Sequence, residues 1–139
     1  MNLYYRIWVD CILRLKSIEA NKDNWQIKSQ IMMTVAMTFN FILIMAILQR
    51  NILKVYFYKI NIHILSSYEN NILGILILFF LPCLIINYLL IFRGKRYEKL
   101  VEKYPYHNGK LILIYILISM FFPLILLLGG MILLRFNII

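Results

Sequence analysis

Residues 72–92 read ILGILILFFLPCLIINYLLIF and pass directly into RGKRYEKLVEKYPYHNGK at 93–110. Twenty-one residues, sixteen of them Leu, Ile or Phe, give way to a segment with six Lys or Arg. On a membrane-insertion scale that apolar content is worth about −5 to −10 kcal/mol as an upper bound, because residues near the ends of a span count for less. A run of this length and composition is expected to cross a bilayer. The basic segment after it belongs in water or among anionic head groups. Pro82, near the middle of the run, has no N–H and frees the carbonyl of Leu78, so a bend is expected there.

The rest of the composition agrees. The chain has 139 residues, 63% hydrophobic and 15% charged, against about 45–50% and about 25% for soluble domains. Its net charge of +9 would suggest nucleic acid in a soluble protein. Here the basic residues stand at the ends of apolar runs and no nucleic-acid-binding motif is present, so the orientation rule for membrane proteins explains them instead. Cys11 lies in the N-terminal tail and Cys83 inside an apolar run, a placement that suggests neither a disulfide nor a metal site.

Upstream, a second apolar run covers 31–48, about 27 Å of helix against about 30 Å of hydrocarbon. Thr34, Thr38 and Asn40 lie within it, and such residues usually face other helices. Downstream, 111–134 forms a third run of about 36 Å, with Pro123 offering a bend and Gly129–Gly130 near the far end. The 49–71 connection shows a near period of two from Tyr56 to Ile64, which fits either an interfacial helix or a strand completed by another chain. In the basic segment, Tyr97, Leu100, Val101 and Tyr104 make an i, i+3, i+4, i+7 stripe. A short amphipathic helix is expected there, ended by Pro105 and a turn around Asn108–Gly109.

The N-terminal tail, 1–30, carries its own helical stripe of Leu3, Tyr4, Ile7, Trp8, Cys11, Leu15 and Ile18. Arg6, Asp10, Lys16 and Ser17 lie mostly opposite, with Val9 and Leu13 spoiling the polar side. Within 3–18, the seven Leu, Ile or Val offer about −2 to −4 kcal/mol, and the four charges in a span would cost about +10 kcal/mol. The charges win. The segment is therefore expected to lie at the interface, with Tyr4, Tyr5 and Trp8 at head-group level, or to pack on a partner subunit. No secretory signal peptide is expected, because the first long apolar run begins only at Ile31 and no Ala-x-Ala pattern follows it.

The expected fold is thus an all-α integral membrane protein: three transmembrane helices, an N-terminal interfacial amphipathic helix and a short cytoplasmic amphipathic helix in one membrane domain. With three spans, the tail and the 93–110 loop share one side. That side holds eleven Lys or Arg, against four in the 49–71 loop and the 135–139 tail. The positive-inside rule then places the N-terminus in the cytoplasm and the C-terminus outside.

Three passages, YYRIWVDCI at 4–12, FNFILIMAILQRNI at 39–52 and NYLLIFRGKRYEKL at 87–100, carry a resemblance. The chain resembles a group of short, uncharacterised bacterial three-span inner-membrane proteins, and the likeness covers most of its length. The resemblance implies a multi-pass setting in the bacterial cytoplasmic membrane. It carries no catalytic motif and no mechanism.

Counting in from the cytoplasmic ends, Asn40 lies about 14 Å deep, Pro82 about 15 Å, Ser119 about 12 Å and Pro123 about 18 Å. Asn40, Thr38, Asn87, Ser119, Pro82 and Pro123 are therefore the candidates either for a midplane polar site beside kinked helices or for helix-to-helix packing. No Asp, Glu, Lys, Arg or His lies inside a span, which removes the usual carriers of proton relays and ion-pair substrates. Arg93, Lys95, Arg96, Lys99, Lys103 and Lys110 are candidates for contact with anionic lipid, or serve only to set topology. His63 and His107 fall on opposite sides in this topology and cannot share a metal. No catalytic constellation or cofactor motif is present. The expectation is a non-enzymatic accessory or scaffold subunit, bound to a larger membrane protein or to itself because its polar residues ask for more helix contacts than one copy supplies. The alternative is an oligomeric transporter or lipid-handling protein. A membrane-permeabilising peptide is a third reading.

Overall fold

The computed structural model describes residues 2–21, 23–49 and 66–135, and among these every regular element is helical. The elements are α1 (Asn2–Lys16), α2 (Trp25–Leu48), α3 (Ser67–Ile75), α4 (Leu81–Asn87), α5 (Arg96–Lys103) and α6 (Lys110–Arg135). Wide π turns at Leu76–Phe80 and Tyr88–Phe92 make α3 and α4 parts of one long helix, 67–92. Among the described residues, two helices are long and apolar enough to cross a membrane, Trp25–Leu48 and Glu69–Lys103. The latter includes α5, which is set off by left-handed residues at Gly94 and Lys95. The 26-residue α6 is continuous through Pro123.

The apolar runs become helices as read, with shifted limits. α2 starts at Trp25 rather than at the edge of the apolar run, because Trp25–Gln30 add a polar turn that still completes backbone hydrogen bonds. The 67–92 helix begins inside the expected loop. Ser66 caps it by accepting from Glu69 N at 3.3 Å while the Glu69 carboxylate accepts from Ser66 N at 2.8 Å, a reciprocal capping box. The alternating stretch 56–64 lies outside the described residues, as do Arg50, Lys54, Lys59 and His63.

Pro82 is accommodated by widening the turn before it. Leu81 N–H donates to the carbonyl of Leu76, five residues back, and such a π turn makes room where a proline ring would crowd the carbonyl of the preceding turn. A second wide turn ends the helix, with Arg93 N–H donating to the carbonyl of Tyr88.

The core sits at one end of the bundle and α1 is its centre. Ile7, Trp8, Cys11, Ile12 and Leu15 pack with Met33 of α2, Ile91 of the 67–92 helix and Ile112 of α6. Six consecutive residues, Ile7 to Ile12, are buried. Each large apolar side chain fully buried contributes about 1.5–3 kcal/mol, so α1 is a principal source of cohesion. Trp8 is fully enclosed by protein, with Phe92 meeting it edge-on at 5.7 Å. The insertion sum concerns spanning alone and does not bear on this enclosure, within which the fold supplies four donors to Asp10.

Away from this end, Ala36, Phe79 and Cys83 are buried but many apolar residues of the long helices point outward. Leu76, Leu81 and Ile85 on one helix and Ile114, Ile118, Phe121 and Ile125 on α6 are all exposed.

Candidate functional site

Three features gather the polar residues of the chain: a carboxylate at the start of α6, hydrogen bonds between the long helices, and a basic cleft on α5.

Asp10 is fully buried on α1. One carboxylate oxygen, Oδ1, accepts from the backbone N–H of His107 at 2.9 Å and of Gly109 at 3.0 Å. The other, Oδ2, accepts from Leu111 at 2.9 Å and Ile112 at 3.3 Å. The first N–H groups of a helix have no partner within it and carry its positive dipole end, so a carboxylate supplied from another helix satisfies both. The turn that presents these donors needs left-handed backbone at Asn108 (φ 56°) and Gly109 (φ 74°). Asn and Gly are the residues that tolerate it. Gly109 has a second reason to be glycine: the Arg14 side chain lies 3.0 Å from where a Cβ would stand. The sequence reading missed Asp10 as a positioning residue. The clue was Val9 and Leu13 on the supposed polar side, which mark a helix enclosed on more than one face.

The span residues form two hydrogen-bonded groups. In the first, Tyr4 Oη–H donates to Asn87 Oδ1 at 2.7 Å, and Asn87 Nδ2 donates to Thr34 Oγ1 at 3.1 Å. Thr38 bonds the Thr34 carbonyl of its own helix at 2.8 Å. Burial pushes the Tyr4 hydroxyl up to about 12. In the second group, Asn40 Nδ2 donates to Ser119 Oγ at 2.8 Å and to Tyr115 Oη at 3.3 Å, joining α2 to α6. Gln30 Nε2 reaches the Leu84 carbonyl at 3.4 Å. Pro82 and Asn40 border a common cleft of about 230 Å³ with Phe41, Cys83 and Ile86, a lining that is almost wholly apolar. Pro123 stands one turn beyond Ser119, half-buried. Within one copy, each of Asn40, Asn87, Thr34, Thr38 and Ser119 has a hydrogen-bond partner.

The six candidate cations divide in two. Arg96, Lys99 and Lys103 border a cleft of about 230 Å³ with Tyr5, Leu90 and Leu100. Arg96 Nη1 also donates to the Leu89 carbonyl at 3.4 Å. Arg93 and Lys95, in the turn before α5, and Lys110, at the start of α6, are exposed outside that lining.

Aromatic rings brace the same end of the molecule. Trp25 meets Tyr97 edge-on at 5.2 Å, the Lys16 ammonium sits 4.3 Å from the Trp25 ring centre, and Tyr5 stacks on Tyr104 at 6.5 Å. Among the described residues, Trp8 Nε1 and His107 Nε2 are buried and find no hydrogen-bond partner. Among the described residues, no three of His, Cys, Asp and Glu come together as metal ligands. No family model, curated protein or solved structure matches the chain.

Proposed function

We propose that the chain is a non-enzymatic integral membrane protein in which α2, the 67–92 helix and α6 are three transmembrane spans. We take it to be a small accessory or scaffold subunit of a larger membrane complex. In this reading α1 and the 93–110 segment face the cytoplasm of a bacterial cell, the C-terminus faces outward, and no cofactor is required.

The observation that carries it is the fate of the span polar groups. Asn40 is engaged by Ser119 and Tyr115, and Asn87 by Tyr4 and Thr34. Polar residues joined in this way fix helix positions, and the clefts beside them are lined by apolar atoms. That supports packing over passage of a polar substrate. The outward apolar faces of α6 and the 67–92 helix suit lipid or the helices of a partner. The α1–α5–α6 end offers an ordered basic surface.

The test is purification of a tagged copy in mild detergent at native expression, with crosslinking and mass spectrometry of what co-purifies. A larger membrane protein in stoichiometric amount is the expected result. Recovery of monomer alone after crosslinking would overturn the proposal. A homo-oligomer carrying a small molecule would also overturn it, in favour of transport.

A further inference from the structure

The basic cleft joins two kinds of surface. Arg96, Lys99 and Lys103 stand at i, i+3 and i+7 on α5, so their side chains emerge along one face. Glu98 lies on the far side of this 8-residue helix and Glu102, three residues after Lys99, at the edge of the basic face, and neither lines the cleft. On the other wall, Leu90 belongs to the last turns of the long apolar helix, and Leu100 and Tyr5 complete the lining. Charge and hydrocarbon surface therefore meet in one cleft, at the level where an apolar run ends and a basic segment starts. The bond from Arg96 to the Leu89 carbonyl restrains one of the cations before any ligand arrives, which lowers the ordering cost of binding.

We infer that this cleft holds one anionic phospholipid, its phosphate among Arg96, Lys99 and Lys103 and its acyl chain along Leu90 and Leu100. The inference rests on the reading of 72–92 as a membrane span. It differs from a general attraction of the basic loop for anionic membranes, because only three of the six loop cations take part. A free phosphate would use the cations but not the apolar wall. The wall is the reason for assigning a lipid.

The test uses the full chain in mild detergent, examined by native mass spectrometry after addition of phosphatidylglycerol, phosphatidylcholine or inorganic phosphate. One retained phosphatidylglycerol is expected, with phosphatidylcholine and inorganic phosphate lost. The triple variant Arg96→Gln, Lys99→Gln, Lys103→Gln should weaken phosphatidylglycerol binding by at least about tenfold, given the attraction each cation near a lipid surface provides. The triple variant Arg93→Gln, Lys95→Gln, Lys110→Gln removes the same charge outside the cleft and should bind like the parent. Equal weakening by both triples means diffuse attraction and overturns the inference, as does equal retention of inorganic phosphate. If the cleft triple loses helicity by circular dichroism, the single charge reversal Lys99→Glu takes its place, and unchanged binding there overturns the inference. Extraction of membranes with alkaline carbonate separates the two readings. Release of the chain sinks the membrane span itself, whereas a retained chain without lipid preference sinks only the lipid site.

Discussion

Asp10 accepts the backbone N–H of Leu111 at 2.9 Å across 101 positions of sequence. This bond and its three companions fasten the first helix of the chain to the start of the last. The carboxylate ties α1, the 104–109 turn and the dipole of α6 together.

Removing it should therefore be severe. Asp10→Ala leaves four backbone donors without their acceptor, two of them at buried sites. Since each unsatisfied buried group costs about 1–3 kcal/mol, a loss of about 3 kcal/mol or more is expected. Asp10→Asn keeps one acceptor oxygen and loses the charge, so it should fall between. Thermal unfolding in detergent, followed by loss of the monodisperse chromatography peak, measures this. An Asp10→Ala protein that melts with the parent would show that the anchor contributes nothing.

The long helices and the turn at Asn108–Gly109 were legible because each depends on neighbours in sequence. An apolar run of helical length, a proline, or an Asn-Gly pair acts through local geometry. Asp10 was not legible for the opposite reason. Its donors lie 97 to 102 positions away, and no local pattern distinguishes a carboxylate facing water from one facing a helix end. Asn40 and Asn87 were visible as polar residues in apolar runs, but their assignment to separate networks depends on which helices adjoin. The wide turn before Pro82 was half legible: the disturbance follows from proline chemistry, and its form as a π turn depends on the packing around it.

Alkaline titration should report on Tyr4. Burial raises its hydroxyl from 10.0 to about 12, so the folded protein holds this proton more tightly than the unfolded chain does. The stability it contributes is complete below pH 10.0, declines above that value, and is gone beyond about pH 12. Melting temperature measured from neutral to strongly alkaline pH should fall in that window, and Tyr4→Phe should flatten the fall. Tyr4→Phe should also lower stability at neutral pH by about 1 kcal/mol, because Asn87 loses a hydrogen bond. A Tyr4→Phe profile that overlays the parent at every pH would remove the assignment.

Thiol chemistry offers a check on α1 as a core helix. Cys11 is buried, and burial, then the neighbouring charge of Asp10, pushes its thiol up to about 12. A thiol of that kind is slow to react, since the thiolate is the nucleophile and access is closed. A small membrane-permeant maleimide should leave Cys11 unlabelled in the native protein and label it on unfolding. Cys83 is replaced by Ser in this experiment so that only one site is read. Asp10→Ala, by loosening α1, should speed the labelling. Rapid modification of Cys11 in the unperturbed protein would mean that α1 lies exposed.

The pair Asn40–Ser119 distinguishes packing from transport. Their 2.8 Å bond links α2 to α6, and bonds of this kind between membrane helices average about 0.6 kcal/mol in double-mutant cycles. Asn40→Ala, Ser119→Ala and the double variant, compared by unfolding in detergent, should give a coupling near that average. Asn40→Leu removes the polar group and adds bulk, so under the scaffold reading its level in membranes or its assembly with the partner should drop. A transporter using Asn40 for its substrate would behave differently, losing activity while abundance and assembly held. Zero coupling together with normal abundance and assembly of Asn40→Leu would take away the packing role, and with it the main support for a structural function.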